Sequence, residues 1–301
     1  MLRLVLAAGG ALSVLATACS ADPEVPATRA AEPADKAMVT ADEGARILKD
    51  WTARHNKAVT SGDERLWRAA VTGGLAAPVS ARVRTYGRLP ASTRITLLNP
   101  VLYVPRQTGG AAKWFAVAAL QRSGGKEQQV LALFTRSGDK DLWRAAHWLT
   151  FKGKPPELAY DAQGYAIPAP DRGLPAAHAA FLASGARSAF TPDAYTMGAR
   201  TASYGNWKAD AGRIAPGPGT SWALRTKDGG SLVWYGLTQQ RTLTGGTEQS
   251  LPADVRNYLI RAKRRPGGTV QAGWQWLAIG YAPATGKSTV LGESVSLTTA
   301  R

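Results

Sequence analysis

One short pattern occurs twice in this chain, and its two copies indicate how the halves fold. Residues 109–115 read GGAAKWF, and residues 229–235 read GGSLVWY. In both copies a glycine pair able to turn a hairpin precedes two adjacent aromatic residues. Adjacent side chains of a strand point to opposite faces, so one ring of each pair is expected in the core. Because both copies follow a helical region, the recurrence favours an internal duplication.

The first half is predicted to contain helices followed by an antiparallel sheet. Thr40 and Glu43 have the spacing of a capping box, and helical apolar spacing then continues until Gly62 ends the helix. A second helix is expected at 64–71. Short turns between consecutive strands indicate antiparallel pairing, with one sheet face packed under the helices. The expected strands are 94–104, 113–121, 128–136 and 142–151.

The second half repeats this plan after a connection at 152–170 that is rich in proline and glycine. The pattern predicts helices at 174–190 and at about 250–263, and a hairpin turn at 227–230. The expected strands are 220–226, 231–242, 270–282 and 288–298. The predicted fold is α+β, with two tandem cone-like domains at 40–160 and 172–301. Each domain is expected to have N-terminal helices packed on a curled antiparallel sheet.

The N-terminus has the pattern of an export signal. Leu4 to Leu15 form an apolar run behind Arg3 that is too short to span a bilayer. Small residues then lead to Cys19, the single cysteine of the chain. A chain with one cysteine forms no internal disulfide, so its fold depends on the hydrophobic core. We expect a signal peptide at 1–18 and a flexible tether at 19–39.

This N-terminus resembles that of bacterial lipoproteins, in which the cysteine after the signal is lipidated and becomes the mature N-terminus. The alternative is an ordinary secretory signal in which Cys19 has no role. The helix-then-sheet halves resemble the cystatin-like or nuclear-transport-factor-two-like cone. The residues directly before the lipidated cysteine are called the lipobox. Two such cone-like units after a lipobox resemble the uncharacterised tandem-domain lipoproteins of streptomycetes and related actinobacteria. From Thr40 to Arg301 the resemblance implies fold and location, but no active-site residues.

The resemblance also implies a partner and a place in the cell. The partner is membrane lipid, joined through acylated Cys19, and the place is the extracytoplasmic face of the cell membrane of a Gram-positive actinobacterium. The chain has a net charge of +16, from 37 basic and 21 acidic residues. Such a surface attracts lipid headgroups, wall polymers or nucleic acid. Export favours anionic envelope polymers or an unidentified envelope protein as further partners, and no nucleic acid is expected.

The strongest local charge feature is a basic cluster at the end of the predicted helix near residue 263. A polyanion or headgroup contact is one interpretation, and a solvated helix end is the other. A high-GC genome that favours arginine would produce the same overall excess of positive charge. The cluster comprises Arg261, Lys263, Arg264 and Arg265.

The sequence offers little for catalysis. The three histidines lie far apart, and none has a second ligand at metal spacing. His147 is the best single candidate, because strict strand alternation would place it on one face with Trp143. If that face lines a cone, we expect His147 and Trp143 to line a pocket. His147 would act there as a base or hydrogen-bond donor toward a bound ligand, with Asp141 nearby.

Three classes of function follow from these observations. The favoured class is a membrane-anchored extracytoplasmic lipoprotein with a non-catalytic binding or envelope-scaffold role. The first alternative is a module that binds a small molecule or lipid in a cone pocket. The second is a dehydratase-like or isomerase-like enzyme that uses His147. We expect no catalytic residues, no metal and no cofactor.

Overall fold

The computed structural model describes residues 39–106, 113–151, 153–196, 204–217 and 221–301. Cys19, the predicted signal peptide and nearly all of the predicted tether lie outside these ranges, as do the glycines of the first repeat copy. The helices are α1 (Ala41–Ser61), α2 (Glu64–Arg68), α3 (Ala76–Tyr86), α4 (Leu174–Ser184) and α5 (Ala253–Arg261). The strands of the first half are β1 (Thr96–Tyr103), β2 (Lys113–Ser123), β3 (Lys126–Arg136) and β4 (Arg144–Thr150). Those of the second half are β5 (Lys208–Ala209), β6 (Arg213–Pro216), β7 (Trp222–Arg225), β8 (Ser231–Thr244), β9 (Thr269–Ala282) and β10 (Thr289–Ala300).

Helix α1 begins and ends where its sequence predicts. The Thr40 hydroxyl accepts a hydrogen bond from the Glu43 backbone N–H at 3.2 Å, which satisfies one of the free donors of the first turn. Gly62 ends the helix with φ of 69°, a left-handed conformation that glycine adopts without a Cβ penalty. The capping prediction is therefore confirmed.

The other N-terminal helices differ from the prediction. Helix α2 is one short turn and stops at Arg68 rather than Val71. Helix α3 was not predicted, because Gly73, Gly74 and Pro78 indicate a loop in the sequence. Pro78 is the third residue of the helix, within the first turn, where a missing N–H removes no helical hydrogen bond.

The first sheet is a four-stranded antiparallel meander with the spatial order β1-β2-β3-β4. One of its faces packs against α1 in a core that contains Trp51, Phe115, Phe134 and Trp143. The predicted antiparallel pairing under the N-terminal helices is confirmed.

The second sheet has the order β10-β9-β8, and three short strands share the remaining edge of β8. Strands β7, β6 and β5 pair in turn with successive parts of β8. The predicted turn at 227–230 joins β7 to β8 as expected. Helix α4 packs on the outer face through Phe181, and α5 covers another part of the second sheet through Val255 and Leu259.

The two sheets also pack against each other. Their facing side chains form one inter-sheet core, in which Leu131 and Leu133 of β3 share a cluster with Trp234 of β8 and Ile279 of β9. Residues 35–301 form one compact unit. The α+β class is confirmed, whereas the division into two tandem domains stays a prediction.

The connection between the halves is tied to both sheets. Ala166 forms a bridge with Pro105 near the end of β1, while Leu158 and Pro168 form bridges with Thr226 and Leu224. Leu158 and Ala166 are buried in the inter-sheet core. The segment therefore belongs to the packed structure.

The aromatic pairs of the repeated pattern lie in matching positions. Trp114 and Trp234 face the inter-sheet core from β2 and β8. Phe115 packs toward α1, and Tyr235 packs toward α4. Each pair thus places one ring between the sheets and the other under a helix.

Candidate functional site

One recess of the described structure, here called the aromatic cleft, has a volume of about 560 Å³ and is lined by several aromatic side chains. It lies between helices α1 and α3 on one side and strands β9 and β10 on the other, with α5 at its edge. A volume of this size is typical of small-molecule sites. Its principal lining residues are Trp51, His55, Val59, Trp67, Leu75, Val79, Arg82, Thr85, Leu89, Ile95, Gln121, Trp148, Gln275, Leu277, Val295 and Leu297.

The indole rings of the cleft are held in place. Trp51 stacks on Trp148 with ring centroids 4.8 Å apart. The Trp51 Nε1–H donates to the Ala70 carbonyl at 2.7 Å, and the Trp148 Nε1–H donates to Gln121 Oε1 at 2.9 Å. Because both polar tips are satisfied, the two rings are held in fixed positions. Trp51 is only 1% exposed, so the partly exposed Trp148 supplies most of the accessible surface of this stack.

Arg82 places a partly buried cation in this apolar wall. Its guanidinium lies over the ring of Trp67, with 4.8 Å between Cζ and the ring centroid. Its Nε is buried and has no hydrogen-bond partner among the described residues. Desolvation lowers the pKa of Arg82 from its ordinary value. The cleft thus combines aromatic surface with an incompletely satisfied positive group.

His55 lies beside the same indole. Its ring meets that of Trp67 edge to face, with centroids 5.1 Å apart. The pKa of His55 is lowered to about 4, chiefly by desolvation; the hydrogen bond with Asn56 opposes this shift, and the charge of Arg82 adds to it. His55 is therefore neutral at neutral pH.

His147 and Trp143 do not share a face, so this part of the pocket prediction is wrong. Pairing of Phe134 with Ala145 and of Leu133 with His147 leaves Ala146 as a bulge. The bulge shifts the alternation by one residue. Trp143 packs under α1 and beneath the guanidinium of Arg136.

His147 instead points to the second sheet. Its Nε2 lies 3.2 Å from the carbonyl oxygen of Tyr235 and 3.0 Å from that of Ala278, so a proton on Nε2 is shared between two strands. Desolvation lowers the pKa of His147 to about 4. Its Nδ1 has no hydrogen-bond partner among the residues described. The side chain lines a separate cavity of about 290 Å³, which shares the wall residues Gln275 and Leu277 with the aromatic cleft.

The basic cluster divides into two parts. The Arg261 Nε–H donates to the Thr85 carbonyl of α3 at 3.2 Å, so this residue joins two helices. Lys263, Arg264 and Arg265 are exposed, and no ion pair involves them in the described part of the chain. Thr85 also lines the aromatic cleft, so Arg261 contacts one of the lining residues of the cleft.

Sequence reasoning missed Arg82 because it missed helix α3. Val79, Val83 and Tyr86 have the i, i+4 and i+7 spacing of an amphipathic helix and were the signal available. The assembly of the cleft from α1, α3 and β10 depends on contacts between distant parts of the chain, which local patterns do not reveal.

The described ranges contain neither a candidate metal site nor a candidate membrane-spanning helix. No group of three or more His, Cys, Asp or Glu side chains in them is arranged to hold a metal ion. None of the helices in those ranges is both long and apolar enough to cross a membrane.

Comparison with known proteins gives relatives but no activity. An uncharacterized lipoprotein of Streptomyces coelicolor is 27% identical over 292 residues, covering 87% of this chain and 85% of the relative. A second uncharacterized lipoprotein of the same organism is 28% identical over 240 residues, covering 70% of this chain and 67% of the relative. No solved structure matches significantly. The sequence model of a domain of unknown function, DUF8094, matches residues 35–301, and the chain belongs to that family.

Proposed function

We propose that this protein is a lipid-anchored protein on the extracytoplasmic face of the membrane, where it binds a small amphipathic molecule in the aromatic cleft without catalysing a reaction. The names of the two Streptomyces relatives and the signal pattern ending at Cys19 support the anchor. The cleft supports the binding role.

The observation that carries the binding proposal is the preformed aromatic wall around about 560 Å³. Trp51 and Trp148 are fixed by stacking and by hydrogen bonds at their indole nitrogens. Rigid apolar surface reduces the ordering cost of binding an apolar chain. The Thr85 and Gln275 side chains of the wall are likewise fixed, by hydrogen bonds to the Ala81 and Leu237 carbonyls.

Calorimetric titration with dodecanoate tests this proposal. The protein is a chain that starts at residue 19 and carries Cys19→Ala, which retains the compact unit 35–301 and removes signal and acylation. Val295→Trp places a large side chain at a half-exposed position of the cleft wall and is expected to weaken binding. The matched control is Val101→Trp, at a similarly exposed position of β1 away from the cleft. Absence of dodecanoate binding, or equal weakening by both variants, would refute the proposal.

The anchor has a separate test in cells of a streptomycete host. A clickable fatty acid is expected to label the protein, and globomycin should block maturation of its signal. The Cys19→Ala variant should carry no label and leave the membrane fraction. An unlabelled variant that stayed in that fraction would contradict lipid anchoring.

We propose a second role for the exposed part of the basic cluster, which is contact with an anionic membrane surface. Lys263, Arg264 and Arg265 follow directly after Ile260 and Arg261, and the Ile260 side chain is 53% exposed. Exposed apolar and cationic groups together suit the headgroup region of a bilayer. The contact of Arg261 with Thr85, a lining residue of the cleft, supports a membrane contact on the same side of the protein as the cleft.

Vesicle sedimentation tests the surface contact without any cleft ligand. Neutralising Lys263, Arg264 and Arg265 to Gln is expected to weaken binding to anionic vesicles roughly hundredfold at low salt. The matched control neutralises the exposed Arg187, Lys140 and Lys287, which lie away from the cleft wall. Salt-independent binding, equal loss in the control, or retention by a soluble polyanion with no vesicle binding would refute this role.

We also propose that the halves are two tandem cone-like units derived by duplication. Trp114 and Trp234 have matching placements, as do Phe115 and Tyr235, and these support the proposal. Each aromatic pair lies in the strand next to one edge of its sheet: β2 beside β1, and β8 beside the short strands β5, β6 and β7. An experimental structure in which the two meanders fail to superimpose would reject duplication.

The enzymatic alternative requires His147. The surroundings of this side chain support the proposal that the protein does not catalyse a reaction. Both carbonyls near Nε2 engage the nitrogen that would act on a substrate. If a dehydratase or isomerase activity is found, its loss in His147→Ala would overturn the non-catalytic proposal.

A further inference from the structure

Arg82 carries a partly buried charge at the wall of the cleft, where desolvation disfavours the charged form. Its Nε is buried without a partner, and the described residues include no carboxylate in ion-pair contact with it. Buried charges are usually paired, because desolvation without compensation disfavours the folded state. The stacking on Trp67 compensates only in part.

We infer that Arg82 binds the acidic head of the cleft ligand, which is therefore an anionic amphiphile with an apolar chain. This inference rests on the proposed binding of an amphiphile in the aromatic cleft. A guanidinium offers a planar fork of donors that matches a carboxylate or phosphate, and low dielectric strengthens the pair. The apolar chain would then lie along the indoles of Trp51 and Trp148.

Three other titratable side chains line the cleft in the described structure: His55, Tyr86 and Asp254. His55 is uncharged at neutral pH and offers no competing cation. Asp254 of α5 is an acidic lining residue, and its carboxylate accepts the Val255 backbone N–H at 2.9 Å. It makes no ion pair with Arg82 in the described structure. An acidic ligand at Arg82 therefore displaces no internal partner.

Four amphiphiles with the same chain distinguish the head groups: dodecanoate, dodecyl phosphate, dodecanol and dodecylamine. Dodecanoate is expected to bind the protein that starts at residue 19 most tightly, with dodecyl phosphate close to it. Arg82→Met should weaken dodecanoate roughly tenfold to hundredfold, the range for a hydrogen bond to a charged group, and leave dodecanol unchanged. Arg82→Lys should restore part of the affinity. Arg88→Met, an exposed arginine just after the same helix, is the matched control.

His55 supplies an independent readout by nuclear magnetic resonance. Dodecyl phosphate, which stays anionic at pH 4, should raise the pKa of His55 from about 4 when bound at Arg82, because the new negative charge offsets that of Arg82. Dodecanol should leave this pKa unchanged. A melting curve of Arg82→Met checks that the variant is folded.

The outcomes separate the inference from the proposed function. If none of the amphiphiles binds, the cleft has no such ligand and both fail. If all bind equally, or if Arg82→Met binds dodecanoate as well as the parent does, the cleft binds amphiphiles and only the role of Arg82 is overturned. Tightest binding of dodecylamine would also overturn it.

Discussion

The hydroxyl of Tyr235 lies 2.9 Å from Nδ1 of His178, within the core between α4 and the second sheet. The other ring nitrogen of His178 lies 3.4 Å from a carboxylate oxygen of Glu293 on β10. All three side chains are buried, and burial raises the pKa of Tyr235 above its ordinary range. The buried polar row therefore connects helix α4 with strands β8 and β10.

Removal of the Tyr235 hydroxyl should destabilise the protein. Tyr235→Phe keeps the ring but leaves a buried histidine nitrogen without this hydrogen bond, which costs about 1–3 kcal/mol. Urea unfolding measures the change in free energy. Tyr160→Phe, at a side chain that is 47% exposed, should leave stability unchanged. Equal stability of both variants would show that the Tyr235 hydrogen bond contributes nothing.

Acid should destabilise the fold through His147. Its folded pKa is about 4, below the unfolded value of about 6.5, so the unfolded chain binds the proton first. The full contribution to stability is present above about pH 6.5 and is lost as pH falls toward 4, by on the order of 3 kcal/mol. His147→Gln keeps an N–H donor for the two carbonyls and does not titrate.

Urea unfolding of the parent and of His147→Gln between about pH 4 and 7 checks this prediction. The variant should lose less stability on acidification. His55, whose folded pKa is also about 4, keeps part of the acid dependence in both proteins. Parallel pH profiles would contradict a role for His147 in acid sensitivity.

The inter-sheet core should make the two sheets unfold together. Leu133 and Ile279 are fully buried in it from opposite sheets. Leu133→Ala and Ile279→Ala should each cost about 2–5 kcal/mol by removing apolar contacts and leaving a cavity. Tryptophan fluorescence and circular dichroism should report one coincident transition. Two separate transitions, with one half still folded, would show that the halves are independent domains.

The cap of α1 should contribute measurably to stability. Thr40→Ala removes the acceptor for the Glu43 backbone N–H and should cost about 1 kcal/mol. Thr52→Ala, in the middle of the same helix, is the matched control and should be neutral or slightly stabilising, because alanine favours helix. Thermal or urea unfolding compares the two, and equal effects would rule out a capping role.

Local patterns predicted most of the strands but not the geometry of the candidate site. Gly62 ends α1 and the glycine pair at 229–230 turns a hairpin, because these conformations depend on neighbouring residues alone. The bulge at Ala146 was not predictable, since it depends on how β3 and β4 pair. It moved His147 away from Trp143 and into the contact with the second sheet.

The aromatic cleft depends on still longer contacts. Trp51 and Trp148 pack in the core under α1, yet they also line a recess that α3 and β10 complete. Arg82 lies on α3, the helix that was not predicted because Gly74 and Pro78 indicate a loop. Hydrophobic periodicity identifies buried faces, but it does not show where packing leaves a gap.

The facing sheets limit how this chain can be dissected for study. A cut between 160 and 172 would expose Leu131 and Leu133 on one fragment and Trp234 and Ile279 on the other. Each fragment would then expose an apolar sheet face to solvent, which favours aggregation. Fragments of this protein for binding or structural work should therefore keep residues 35–301 intact.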